Sequence, residues 1–458
     1  MSKQILILLL FLGFSTSLLA QRVSYPQLVM RSQNPTIFID DIILPGEDGK
    51  TTLAFIFRFD NDFIPYKKIP SNHSMDVPEG AEFYSTIRLN TEVFEGKLKR
   101  RQEPSTTSVA RDSWADTVFT SSFEETQSKD LYASGALSIQ LAPRTYNFIL
   151  QLSMMQEVNE RSTQRRNVSV PDLSTKKTGE IILIKEQSSK DDNQILHLMN
   201  MESNVPFGKD FQALIRIPDY DPSINYSLKV NDANTSRNDT TAGETVYTAD
   251  LSKSNIYTAS TIKLNKQKYP SLTLMEGNYP YTYAVVSIPA SRFKNAPYFL
   301  SLLKNESSEP IARTFFRSYW PDMPASLYNL NISIEMLKYI VSDEEIARIK
   351  KGNVSEREQK FREFWESRDP TPNTVYNELM AEYYRRIDYA FKEFGSEENP
   401  MGHENDQGEI YIKFGPPNEK ERIFPPGEKT REIWKYPNRT FVFEAGSGFG
   451  DFILVGSR

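Results

Sequence analysis

From residue 36 to about residue 325 the chain is written in short runs that alternate apolar and polar residues. From about residue 326 the period becomes that of a helix. This switch constrains the fold more than any single motif, because a period-two stripe and a 3.6-residue stripe belong to different elements. Thr36-Ile-Phe-Ile-Asp and Thr52-Leu-Ala-Phe-Ile-Phe-Arg-Phe are rich in β-branched and aromatic residues, and Pro45-Gly46-Glu47-Asp48-Gly49 between them has turn composition. Residues 82–89, 136–141 and 146–154 continue the style. These runs predict an antiparallel β-sandwich over residues 21–175. Leu141-Ala-Pro-Arg-Thr-Tyr146, placed before a strand, fits the tyrosine corner of immunoglobulin-like sandwiches. A second set of strands opens at Gly179 and takes in residues 211–217, 226–230 and 281–288. Leu274-Met-Glu-Gly-Asn-Tyr279 repeats the Leu-to-Tyr spacing, and Pro171-Asp172 and Pro321-Asp322 close the two regions alike. The repeat predicts a second sandwich of the same kind, in tandem, over residues 176–325.

The last region, residues 326–458, reads as an α+β domain. Ser342-Asp-Glu-Glu345 and Ser355-Glu-Arg-Glu358 have the form of capping boxes, with Gly352 as a stop between them. Phe361, Phe364 and Trp365 make one apolar helix face, and Asp369-Pro370-Thr371-Pro372 breaks the helix. A further helix is predicted over 374–394, with Val375, Leu379, Tyr383, Ile387, Phe391 and Phe394 as its buried stripe and Gly395 as its stop. The Gly-bounded turn Gly402-His403-Glu404-Asn405-Asp406-Gln407-Gly408 feeds an alternating strand over 409–415. Strands over 431–436, 440–444 and 451–455 come after it, with turns at Pro437-Asn438-Arg439 and Gly446-Ser447-Gly448.

The N-terminus combines Lys3, an apolar run from Ile5 to Phe14, and Ala20 at the end of a small-residue stretch. That is the form of a secretory signal peptide over residues 1–20, too short for a span of ~20 residues. The expectation is an exported protein, periplasmic or associated with the outer membrane or cell surface, soluble after cleavage and without a transmembrane segment. There are no cysteines, so disulfides, thiol nucleophiles and a lipid-anchored cysteine are excluded. Net charge is −6, and the one basic cluster, Lys97, Lys99, Arg100 and Arg101, reads as a solvated edge; no nucleic acid partner is expected. Asp191-Asp192-Asn193 lacks the acidic spacing of a calcium loop. His73, His197 and His403 are the only histidines, which gives little to a multi-histidine metal site or a His-based triad. No cofactor is expected.

The stretch from Phe364 to Gly415 is dense in paired polar and aromatic residues, and together with residues 416–436 it resembles the GWxTD domain of envelope proteins from Bacteroidetes and related bacteria. The resemblance rests on Trp365, Arg368 to Pro372, Asn377-Glu378, Glu382 to Arg386, Gly402, Asp406, Gly408, Gly415 to Pro417, and Glu432 to Tyr436. His403 and Asn405 stand where that family has Trp and Thr in its name-giving turn. On the strength of it, Trp365, Arg368, Asp369, Asn377, Glu378, Glu382, Tyr383, Arg385, Arg386, Gly402, His403, Asp406, Gly408 and Trp434 are candidate binding residues. Two accounts of the charges are open: a surface salt network, or a network under the turn in which Arg368 or Arg385 pairs Asp406 and Glu382 accepts from turn amides. No nucleophile elbow or phosphate loop is present. The expected function is therefore non-enzymatic: docking to an envelope protein or a glycan, or a structural role, through the C-terminal domain. The alternatives are a glycan hydrolase using Glu378, Glu382, Glu404 or Asp406, and a cation site at His403, Glu404 and Asp406.

Overall fold

The structure is a computed structural model that describes residues 24–31, 35–99, 105–155, 161–190, 193–233, 242–305, 307, 309–396, 400–446 and 452–457. The leader expected over 1–20 lies outside the described residues, as do Arg100, Arg101, Asp191, Asp192, Ser447 and Gly448. The described chain is mostly β, with five sheets and a few helices, and it divides into two compact units. Of the described residues, one unit is formed by those within 35–322 and 370–378, the other by those within 323–369 and 379–457 with 24–31. Among the described residues no helix is long and apolar enough to cross a membrane.

After a short helix α1 (Tyr25–Arg31) the chain enters the first unit through β1 (Ile37–Pro45) and β2 (Thr51–Asp60). The elements β3 (Lys67–Lys68), β4 (Phe83–Glu95), β5 (Ser108–Thr120), α2 (Phe123–Thr126), β6 (Tyr132–Leu141), β7 (Arg144–Met154), β8 (Arg161–Ser162) and β9 (Arg166–Val170) succeed them. β1, β2 and β6 form one antiparallel sheet; β4 pairs both β5 and β7, and β7 pairs β9 in a second. Phe55, Phe57 and Phe59, at period two on β2, meet Leu89, Phe148 and Leu150 of the second sheet. Ala54 and Ile56 point the other way, with Leu44 and Ala136, onto Ile184, Leu196, Leu214 and Leu272. β2 is thus buried on both faces, which is why its sequence is nearly continuous in apolar residues.

The strands β10 (Ile181–Lys190), β11 (Asn193–Leu198), β12 (Asn204–Pro206), β13 (Phe211–Arg216), β14 (Tyr226–Ala233) and β15 (Ala242–Asp250) come next. After them run β16 (Ile256–Asn265), β17 (Ser271–Glu276), β18 (Tyr281–Ile288), β19 (Pro297–Lys304) and β20 (Pro310–Tyr319). Six of them close into a ring in the order β10-β11-β17-β16-β18-β13, and the others form the five-stranded sheet β12-β20-β19-β14-β15. Ring and sheet share a core that includes Phe211, Ile215, Leu228, Leu300 and Phe316. The Tyr146 hydroxyl donates to the Ala142 carbonyl at 2.9 Å, the hydrogen bond a tyrosine corner requires. Tyr279 is not its counterpart: it lies in the turn between β17 and β18 and is 42 % exposed. The equivalent contact is made by Tyr298, whose hydroxyl donates to the Lys294 carbonyl at 3.1 Å. The spacing alone could not choose between them, since a hairpin tip and a strand start carry similar residues.

The second unit contains α3 (Leu330–Glu335), α4 (Asp343–Lys350), α5 (Val354–Glu366), α6 (Glu378–Glu393), α7 (Asp406–Phe414) and the sheet β21 (Glu419–Ile423), β22 (Arg431–Tyr436), β23 (Arg439–Ala445) and β24 (Phe452–Ser457), paired in that order. Ser342 caps α4 as expected, its hydroxyl accepting from the Glu345 amide. The second capping box is Asn353 with Glu356, not Ser355 with Glu358. Gly352 at φ +109° sets Asn353 into extended backbone, so the helix starts two residues early. The α6 helix begins at Glu378 rather than near 374, because the Val375 amide is already committed to the Ser291 carbonyl at 3.0 Å. Val375 and Leu379 are accordingly exposed, while Tyr383, Ile387 and Phe394 hold the core with Trp365, Tyr384 and Trp434. The largest correction concerns residues 409–415, expected as a strand: they form α7, ended by Gly415 at φ +77°.

Candidate functional site

The Gly402–Gly408 segment explains why α7 is a helix. A 3₁₀ turn over Gly402–Glu404 delivers Asn405 in extended backbone to the N-cap position. The Asn405 side-chain oxygen accepts from the Gly408 amide at 2.7 Å, and its NH₂ donates to the Phe394 carbonyl at 2.6 Å. Asp406 opens the first turn, where the helix dipole favours a negative charge, and its carboxylate accepts from the Leu454 amide at 2.7 Å. That bond ties β24 to the start of α7. The glycines allow close backbone approach: a Cβ on Gly402 would lie 2.3 Å from the Gly395 nitrogen, and one on Gly408 would lie 2.0 Å from the Gly402 carbonyl oxygen.

His403 is completely buried. Its ring centroid lies 5.2 Å from Tyr25, 5.9 Å from Phe391 and 6.4 Å from Tyr339. Nδ1 is 3.1 Å from the Tyr339 hydroxyl, which donates to the His403 carbonyl at 2.7 Å; Nε2 has no hydrogen-bond partner. Tyr25 on α1 completes this aromatic cage and donates its hydroxyl to Asp388 at 2.6 Å, whose other oxygen accepts from the Ala325 amide at 2.6 Å. Burial pushes the His403 imidazole down to about 4, against a smaller opposing pull from Glu404. The folded protein therefore holds the ring neutral over a range in which the unfolded chain, titrating near 6.5, is protonated. The stability this gives is complete above pH 6.5 and falls by up to about 1.4 kcal/mol per pH unit towards pH 4. Urea unfolding at pH 7, 6 and 5 is expected to show this loss in the native chain and a flatter profile for His403→Phe. A second expected result concerns the cap: Asn405→Ala lowers unfolding free energy by about 1 kcal/mol, and Asn405→Thr keeps most of it.

A buried carboxylate that belongs to the matched motif but was not among the candidate binding residues lies in the same unit. Glu432 on β22 has no exposed side-chain surface. One oxygen accepts from Gln407 at 2.9 Å and from the Trp434 indole at 2.8 Å, with the Lys420 ammonium 3.0 Å away. The other accepts from the Arg422 guanidinium at 2.6 and 3.0 Å. Burial raises its pKa, and the hydrogen bonds from Trp434, Arg422 and Lys420 outweigh that and bring it below the ordinary carboxylate value. The signal was in the sequence: Glu432 and Trp434, two apart on one strand, share the inward face.

The remaining candidates divide by burial. Trp365, Tyr383, Gly402, Gly408 and Trp434 are core residues. Trp365 packs 5.5 Å from Tyr383, and the Tyr383 hydroxyl donates to the Met336 carbonyl. Asn377 is buried and Asp369 half-buried. Arg368 and Arg385 do not pair Asp406. Arg368 lies over the Phe364 ring at 3.9 Å and donates to the Phe364 carbonyl, whereas Arg385 pairs Glu382 at 3.0 Å. Glu382 does not accept from the turn; it also pairs Arg386 at 2.7 Å, one helical turn away. Helical spacing put these charges within reach of each other before any could reach the turn. Glu378 accepts from the Thr371 hydroxyl, and Glu404 pairs Lys338 at 2.8 Å. Among the described residues no three His, Asp or Glu side chains gather as a metal site would need.

The GWxTD domain family matches residues 297–447. The chain carries a GWxTD domain. The match starts at the first residue of β19 and runs through β23. No curated protein matches the chain. In this GWxTD domain the motif residues have identifiable packing roles. Two glycines admit backbone contacts, His403 fills the aromatic cage at the usual Trp position, Asn405 caps where Thr is usual, and Asp406 holds β24.

Proposed function

We propose that this is an exported envelope protein, periplasmic or at the cell surface, that acts without catalysis by docking a protein partner through its GWxTD unit. In this reading residues 21–175 and 176–325 are tandem immunoglobulin-like sandwiches that space the docking unit from its surroundings. The observation that carries the proposal is the outer face of the C-terminal sheet. Ile453 and Val455 on the edge strand β24 are 55 % and 54 % exposed, two residues apart, on the side opposite the core residues Phe452 and Leu454. The Leu454 amide on that strand is already taken by Asp406, so what β24 offers a partner is this exposed apolar pair on the outer face of the sheet.

The alternative, a carboxylate-dependent glycan hydrolase, has less support. Glu382 and Glu404 are paired with cations, Asp406 with a backbone amide and Glu378 with a hydroxyl. Each of these side chains is thus already engaged within the fold. The test is in-cell cross-linking with capture and mass spectrometry of the mature protein, beside an Ile453→Lys/Val455→Lys variant. The expected result is a reproducible envelope protein that disappears with the double variant while the melting temperature is unchanged. Retention of that partner by the variant, or no partner in either sample, overturns the proposal.

A further inference from the structure

The β unit holds a cleft of about 1210 Å³ whose lining includes Glu378 but no residue of the Gly402–Gly408 turn. Its walls come from the rim of β2, β5 and β6, from β10 and β11, and from the segments 206–209, 268–270, 320–322 and 376–378. The junction between these walls is fixed by hydrogen bonds, those of Asn200 buried. Asn200 donates to the Phe57 carbonyl and to the Ser134 hydroxyl at 2.8 Å each, and Asp40 accepts from the amides of Glu202 and Ser203. The volume exceeds the ~300–1,000 Å³ of pockets that take one small molecule, so an extended occupant fits better.

Three features of the lining narrow its chemistry. Aromatic rings stand in two groups: Tyr132 with Tyr269 at 6.0 Å, and Phe207, Trp320 and Tyr376 with centroids 5.2–5.8 Å apart. Tyr269 is 54 % exposed. The charges of the lining are nearly balanced, five basic against six acidic side chains, with opposite signs adjacent at Lys129-Asp130 and Lys185-Glu186. Polar side chains that donate and accept are exposed along the same walls, among them Glu79, Thr117, Ser121 and Lys129. Such a lining offers hydrogen bonds to a polar occupant.

We propose that this cleft binds a neutral oligosaccharide. A polyanion is disfavoured by the acidic side chains, and an apolar chain by the exposed polar ones. A sugar chain meets all three features. Its C–H faces lie against aromatic rings, each hydroxyl both donates and accepts, and it needs no net charge opposite it.

The experiment is calorimetric titration of the mature full-length protein with maltohexaose, cellohexaose, chitohexaose and mannohexaose. At least one is expected to bind with Kd between about 10 μM and 1 mM. Tyr269→Ala and Glu186→Gln, both at surface positions, are expected to weaken it about tenfold without moving the melting temperature. Ile453→Lys/Val455→Lys, in the other unit, is expected to leave it unchanged. Absence of heat with all four sugars up to about 5 mM overturns the proposal. So does sugar binding indifferent to both cleft variants, or competitive displacement by an unstructured peptide pool but by none of the sugars.

Discussion

Gly408→Ala is expected to lower the unfolding free energy of the C-terminal unit by about 3 kcal/mol or more, a large part of what a domain has. The added Cβ would fall 2.0 Å from the Gly402 carbonyl oxygen and 2.9 Å from the His403 Cα, both backbone atoms that cannot swing aside. Relief requires α7 to move from the 3₁₀ turn. That movement breaks the Asn405 cap on the Gly408 amide and draws Asp406 off the Leu454 amide. Near-ultraviolet circular dichroism tracks the loss, since Trp365 and Trp434 report on this core. Gly427→Ala is the control: φ is +76° there, but nothing lies within 4 Å of the added Cβ. It should cost only about 1 kcal/mol of backbone strain. Equal effects at the two positions would show that the close contact under α7 does not exist.

Glu432→Ala is expected to cost about 3 kcal/mol, chiefly because the buried Gln407 and Trp434 donors lose their acceptor, while Arg422 and Lys420, 50 % and 44 % exposed, are partly rehydrated. The variant strands Gln407, the Trp434 indole and two cations around a vacated carboxylate. Glu432→Gln should recover only part of this, because a neutral amide cannot balance both Arg422 and Lys420. The same group sets an acid limb. Its folded pKa lies below the ordinary 4.5, so its contribution is present above pH 4.5 and is lost as pH falls through the folded value. Denaturant unfolding between pH 5 and 3 should therefore be steeper for the native chain than for Glu432→Gln. Parallel profiles would remove Glu432 from the acid response.

The predicted elements that matched were those whose local signals and tertiary surroundings agree. β1, β2, β4, β6 and β7 keep to period-two runs, and Ser342 caps α4 where a Ser-x-x-Glu pattern predicts it. α7 went the other way for a local reason. Ile410, Ile412 and Phe414 alternate, yet Asn405 and Gly408 form a cap that the alternation conceals, and a cap decides the first turn. The candidate site was legible as residue types and not as pairings. Glu382 pairs Arg386 at the helical spacing a surface salt network uses, whereas the partners of Asp406 and Glu432 lie 48 and up to 25 residues away in sequence.

By itself the sequence determined where β structure gives way to helix, that no thiol chemistry is available, and that residues 364–436 carry the marks of a GWxTD domain. The first two come from periodicity and composition and the third from likeness to a known family, and all three are read from the chain alone. Only the tertiary structure decided that the motif glycines are contact points, that His403 is a neutral core residue, that Glu432 is a buried charge, and that a mixed polar and aromatic cleft lies in the β unit. Close approach, burial and charge pairing depend on which distant segments meet, and no local pattern records that meeting.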